Sequence, residues 1–475
     1  MRLCPLRRPL GSSEAHVLRS PVFDVQPSAM SSSTVLGVFV LVRHGDRQGF
    51  YQDPTTYAAS HTSITPLGNA QEFALGDALR QLYLNESSPS HVQNMNAGLF
   101  NDSQVWMRAD AGDEGGVIFD SAVSLSQGLW PATSAYNTTL ANGTTITGPL
   151  AGYQTIPIES VESTNDVSLE GFTSCTTFNT DVSAFYNSSE FNAKKQEAQS
   201  FLSQLPPYLD GRPATLQNMW NVFDYMNVNS IHNADFARAL PSTFLAQARD
   251  LANWHEYNTF SSEQLDGIGN IAGRTVVPSM LTGLSRIANA SDPLSFMVEA
   301  ISYKPFISLF NMTGAVQANS GLAGVVNYAS AWALEVRQPS GGGPPVLRFN
   351  FKNGTDDEFR TYSFLGYGSD SDVPLSTFMN TLAPAAVNTT AQWCGVCGNS
   401  QDRGCGLLAQ ASAAAKPDQP ISPVGAGFLG AGLALVVALL VLGVLTLLGM
   451  LTFGKGKRAR KIQGEKSKGM DSESV

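Results

Sequence analysis

Val35-Leu36-Gly37-Val38-Phe39-Val40-Leu41-Val42 runs directly into Arg43-His44-Gly45-Asp46-Arg47. Eight apolar residues, mostly β-branched or aromatic, read as a strand buried on both faces, the kind found at the centre of a parallel sheet. Such strands deliver chemistry at their C-terminal ends. There the chain meets two arginines flanking a histidine, with Gly45 letting the backbone bend away and clearing space beside the imidazole. Guanidinium forks bind phosphate oxygens bidentately and offset charge as it develops, and the imidazole between them supplies a nucleophilic nitrogen. A lone Arg-His-Gly is a weak signal, because a lone histidine is more often structural than catalytic. The added Arg47 and the position after a buried strand turn the reading toward a phosphate site.

Outward from this stretch, Thr65-Pro66 opens a helix over 65–82 whose apolar face is Leu67, Ala70, Phe73, Ala74, Ala78, Leu79 and Leu82. A second buried strand at 104–108 leads into an acidic loop and a helix over 117–129. This alternation gives the α/β class, a mostly parallel central sheet flanked by helices. Residues 131–190 are rich in Thr, Ser, Asn and Gly, and helical segments follow near 190–205, 215–227, 243–257 and 277–290. The stretch 131–301 is therefore expected as a helical cap insertion over the sheet edge where ligands bind. His232 and His255 lie in it without a second ligand at metal spacing, so they are read as structural, and neither a metal nor another cofactor is expected. A strand over 306–312, a hairpin of 331–337 with 346–351 and a helix near 375–382 close the domain. A net charge of −10 and a pI near 5.1 exclude nucleic acid as the natural partner.

Arg43-His44-Gly45-Asp46-Arg47 resembles the R-H-G-x-R-x-P signature of the histidine acid phosphatases, branch 2 of the histidine phosphatase (phosphoglycerate mutase-like) superfamily. Thr65-Pro66-Leu67-Gly68, Asp120-Ser121-Ala122, Gly128-Leu129-Trp130-Pro131, Ser302-Tyr303-Lys304 and Tyr328-Ala329-Ser330 extend the resemblance over most of residues 34–405. It implies a small phosphate monoester as substrate, His44 as the residue that becomes phosphorylated, and Arg43 and Arg47 as its phosphate ligands. Three departures stand out. Gly49 replaces the signature proline. Gly115, Gly116 and Val117 stand where the family carries a third phosphate-binding arginine, and Arg108 matches a structural arginine instead. The family's strand-terminal His-Asp, whose aspartate protonates the leaving oxygen, falls on Met312 and Thr313, and residues 300–334 contain no His, Asp or Glu. Asp110, Asp113 and Glu114, in the loop leaving the 104–108 strand, are the candidates for a recruited acid, weighed against a merely solvated acidic loop. The alternative function is a weak or inactive relative that binds phosphorylated ligands or serves as a surface module.

Cys175, Cys394, Cys397 and Cys405 form an even set. The resemblance implies Cys175–Cys394 and Cys397–Cys405 pairs; half a zinc site is the alternative for Cys394 and Cys397, without a second ligand pair beside it. Nine sequons, at Asn85, Asn101, Asn137, Asn142, Asn187, Asn289, Asn311, Asn353 and Asn388, agree with a lumenal domain. Asn311, placed in an expected buried strand, is read as unused. After a stalk at 408–423, residues 424–453 contain no charge and exceed the roughly 20 residues that cross a bilayer. Lys455, Lys457, Arg458, Arg460 and Lys461 then place the tail, 454–475, in the cytosol. The expectation is a single-pass protein, held in the lipid bilayer by one C-terminal transmembrane helix, with its large domain, 34–407, lumenal or extracellular. Residues 1–33 carry four arginines and no apolar run of a secretory signal. They are assigned no fold role.

Overall fold

The structure, a computed structural model, describes residues 33–49, 62–112 and 116–414. The expected transmembrane segment, most of the N-terminal extension, Asp113 and Glu114 lie outside the described residues. Among the described residues no helix is long and apolar enough to cross a membrane.

The chain runs β1 (Ser33–Arg43), α1 (Pro66–Tyr83), β2 (Val105–Asp110), α2 (Val117–Leu129), a small hairpin β3 (Asn137–Thr139) and β4 (Thr145–Thr147), α3 (Pro149–Gly152) and β5 (Glu159–Val161). Then come the helices α4 (Thr176–Tyr186), α5 (Ser189–Leu202), α6 (Met219–His232), α7 (Ala234–Ala239), α8 (Phe244–Thr259) and α9 (Ile271–Ile287). The closing part is β6 (Phe296–Ile301), α10 (Lys304–Met312), α11 (Ala315–Ala318), β7 (Ala331–Pro339), β8 (Val346–Lys352), β9 (Arg360–Thr361), β10 (Val373–Pro374), α12 (Leu375–Leu382) and α13 (Thr390–Cys397). The main sheet has the order β10-β8-β7-β1-β6-β2-β5, with β9 paired to β8. Its core strands β1, β6, β2 and β5 are parallel, and β7, β8 and β10 extend it as an antiparallel wing. The expected α/β class with a mostly parallel central sheet flanked by helices is thus borne out.

β1 is buried on both faces because its alternating side chains serve two cores. Val38, Val40 and Val42 pack with α1 and α2, whereas Phe39 and Leu41 join the cluster of the later helices. Each such fully buried chain contributes on the order of 1.5–3 kcal/mol relative to exposure. α1 starts where Thr65 caps it, its hydroxyl accepting from the Gly68 amide at 3.1 Å, with Pro66 in the first turn. The parallel register sets Arg43 opposite Ile301, so the chain after β1 and the chain after β6 leave the sheet side by side.

Two expectations are corrected here. Residues 306–312 form helix α10, with Pro305 in its first turn, not a strand, and the strand beside β1 is β6. A short apolar run buried on all sides has no periodicity to separate strand from helix. Asn311 is accordingly helical, and its amide donates to the Ser262 carbonyl at 2.7 Å and to Asn270 Oδ1 at 3.1 Å. The cysteines pair as Cys175–Cys397 and Cys394–Cys405, with Cα separations of 4.6 and 5.6 Å, the reverse of the implied pairing. α13 carries both Cys394 and Cys397, and it is Cys397 that points into the core toward Cys175. Two strands inside the expected insertion of 131–301, β5 and β6, belong to the central sheet.

Candidate active site

Residues 43–47 are held by both neighbouring segments. The Arg43 amide donates to Ser330 O at 2.9 Å, the His44 amide to Ile301 O at 3.3 Å, and the Ala329 amide to His44 O at 3.1 Å. Gly45 donates to Ser121 Oγ at 3.1 Å and Asp46 to Gln71 Oε1 at 2.8 Å. A Cβ on Gly45 would lie 2.5 Å from Gly68 O, so the glycine admits the first turn of α1 rather than merely opening space beside the imidazole. Where the signature has proline, Gly49 faces Val228 of α6.

His44 is fully buried, and its Nδ1 lies 2.8 Å from Gly45 O. A carbonyl oxygen only accepts, so Nδ1 carries the proton and Nε2 of the neutral ring carries the lone pair. The ring lies 5.5 Å, centroid to centroid, from Tyr328. Tyr328 also lies under the Arg43 guanidinium, 4.5 Å away, with Tyr303 at 5.2 Å on the same cation. Arg43 donates to Val326 O. Arg47 forks onto Asp224 of α6, with Nη2–Oδ1 at 3.0 Å and Nη1–Oδ2 at 3.2 Å. Asp46, buried between the two arginines in sequence, accepts from Thr65 Oγ1 and pairs with His232 Nε2 at 2.7 Å. His232 thereby fastens the end of α6 to the loop, the structural role expected of it.

Arg43 and Arg47 line a cavity of about 290 Å³ roofed by α6 and α8. Tyr328 lines it, and its ring lies against the His44 imidazole. A third arginine, Arg249 of α8, enters from the cap and donates to Val325 O at 2.9 Å. Burial, and then the Arg43 charge, pull its guanidinium below the ordinary value. Sequence reasoning missed it because it sought the third arginine in the loop after β2, and an arginine followed directly by Asp250 on a cap helix gives no signal of a cavity ligand. Two cavity carboxylates, Asp224 and Asp356, were missed as well.

β6 is the strand beside β1, so the segment that leaves the sheet next to residues 43–47 is Ser302-Tyr303-Lys304, which carries no histidine or carboxylate, rather than Met312-Thr313. Tyr303 donates to Glu256 Oε2 at 2.7 Å, Glu256 Oε1 lies 2.8 Å from His255 Nδ1, and His255 Nε2 lies 3.0 Å from Tyr186 OH. His255 is thus a buried, bonded histidine. Lys304 is buried 4.6 Å over the Phe172 ring. Asp110 is buried at the end of β2, accepts from the Gly112 amide at 3.1 Å and does not line the cavity. Arg108 is bound by Glu159, Asp166 and Glu299 at 2.9–3.1 Å, well occupied away from the cavity. No group of three or more His, Cys, Asp or Glu is arranged to hold a metal among the described residues.

The model of the histidine phosphatase superfamily (branch 2) matches residues 48–276, the chain that follows the Arg43–Arg47 signature. Among solved structures, the phytase of Klebsiella sp. ASR1 is similar over 76% of this chain and 99% of its own, with 12% identity and a TM-score of 0.53. The phytase of Hafnia alvei in complex with tartrate is similar over 75% and 98%, with 12% identity and a TM-score of 0.52. No curated protein sequence matches the chain. The family match and the shared fold support a phosphatase-type function.

Proposed function

We propose that the protein is a membrane-anchored phosphomonoesterase working through a phosphohistidine on His44. The observation that carries the reading is the His44 Nδ1 bond to Gly45 O, which directs the lone pair to Nε2 in a loop flanked by Arg43 and Arg47. Nε2 attacks phosphorus, the ester oxygen leaves with a proton, and water then cleaves the N–P bond to release phosphate and restore the imidazole. Arg43 and Arg47 hold the equatorial oxygens, and Arg249 takes the place of the absent third arginine. Its approach to Arg43 brings two like charges together around a buried cavity, an arrangement that a bound anion relieves. Three arginines against Asp224 and Asp356 leave little excess positive charge, which favours a substrate with one phosphate over a polyphosphorylated one. In the test, wild type mixed with labelled nitrophenyl phosphate and quenched fast yields an acid-labile, alkali-stable protein adduct that His44→Ala lacks. Equal turnover by the two proteins rules the mechanism out.

A further inference from the structure

An alkoxide is a poor leaving group, so rapid hydrolysis of alkyl phosphates needs a positioned acid. Ser302-Tyr303-Lys304, which follows β6, carries no carboxylate, and Asp110 does not line the cavity. Asp224 and Asp356 are the two carboxylates that line the cavity among the described residues.

We propose that Asp224, carried on cap helix α6, is the acid that protonates the leaving oxygen and the base that then activates water; this rests on the phosphohistidine reading above. Two geometric arguments select it. In-line displacement puts nucleophile and leaving group on opposite sides of phosphorus. His44 follows β1 and Asp224 is carried on α6, which roofs the cavity, so Asp224 is taken as the group on the leaving-group side. Asp224 also shares the Arg47 fork, at 3.0 and 3.2 Å. A phosphoryl oxygen that takes one arm of that fork comes beside the carboxylate. The oxygens of one phosphoryl group are closer to each other than a hydrogen bond is long, so the ester oxygen falls within reach.

The protons balance. A phosphate monoester has its second pKa near about 6, so in mildly acid solution it arrives as a monoanion with one proton. That proton passes to Asp224, which now faces phosphate oxygens as well as Arg47. As the Nε2–P bond forms and the P–O bond breaks, the bonding pair leaves on the ester oxygen, which takes the proton from Asp224 and departs as alcohol. Water then attacks phosphorus and gives a proton to Asp224, and the N–P pair returns to Nε2.

The test compares Asp224→Asn and Asp356→Asn in the full-length protein on glycerol phosphate, an alkyl ester, and nitrophenyl phosphate, an aryl ester whose leaving group needs little protonation. Asp224→Asn is expected to lower kcat on the alkyl ester by about 10²- to 10⁴-fold. The first-turnover burst of nitrophenol should be nearly unchanged, and the phosphohistidine should accumulate because its hydrolysis is slowed. A fall of equal size in the alkyl and aryl first turnovers would mean that Asp224 only orients Arg47 and would overturn the proposal. So would undiminished alkyl turnover, or the selective loss appearing in Asp356→Asn instead. Failure of the underlying mechanism reads differently, as a His44→Ala protein that still turns over the aryl ester.

Discussion

Arg249 belongs to a cap helix, yet its guanidinium shares a cavity with Arg43 and Arg47. Hydrogen bonds to charged groups contribute on the order of 1.5–3 kcal/mol, so Arg249→Ala is expected to weaken inhibition by inorganic phosphate roughly 10- to 150-fold. Arg249→Lys should recover only part, because an ammonium keeps the charge but loses the planar fork. A phosphate inhibition constant unchanged in both variants would show that Arg249 merely ties α8 to Val325. At this scale the Arg43-His44-Gly45-Asp46-Arg47 loop was legible because it is contiguous, and Arg43 and Arg47 do line the cavity. Arg249, Asp224 and Asp356 were not, because they come to the loop only through tertiary packing of the cap and of the chain after β8.

Among elements, α1 carries an oddity on its sheet-facing side. Glu72 is fully buried among Leu75 and Leu79, and burial raises its carboxyl well above the ordinary glutamate value. A carboxyl raised in the folded state contributes stability that is complete below the unfolded value, about 4.3, and is lost as pH rises through the folded value. Glu72→Gln keeps the shape and cannot ionise. Thermal unfolding across pH should therefore show the variant and wild type alike below about pH 4, with the variant increasingly more stable as pH rises from there. Coincident curves at every pH would remove the buried charge from the account. Element type was readable for α1, α2 and α12 from helical periodicity, and for the hairpin of β7 and β8 from two apolar runs joined by the glycine- and proline-rich turn over 339–345. It failed at Lys304–Met312, where six apolar side chains (Pro305, Phe306, Ile307, Leu309, Phe310 and Met312) are all buried and no polar face marks the helical period. It also failed at β6, where Glu299, buried on Arg108, interrupts what would otherwise read as an apolar strand. The disulfide exchange has the same origin: Cys394 and Cys397 lie in one short helix, and only the packing of α13 decides which of them faces Cys175.

For the whole molecule, the proposed membrane anchor raises the question of which side the cavity faces. Two disulfides, Cys175–Cys397 and Cys394–Cys405, form and persist in an oxidising compartment. Residues 424–453 are uncharged and long enough to span a bilayer, and the basic residues from Lys455 to Lys461 favour the cytosolic side. From these we propose that the cavity faces the lumenal or outer side and the tail the opposite one. Carbonate washing at high pH should leave the full-length chain in the membrane pellet and detergent should release it, whereas a fragment ending at residue 410 should be recovered in the soluble fraction. Protease added outside sealed microsomes should then trim the tail after residue 453 and spare the disulfide-linked domain until the vesicles are opened. Release of the full chain by carbonate would remove the anchor from this account. Digestion of the domain with the tail protected would reverse the orientation, and with it the compartment in which phosphate esters reach His44.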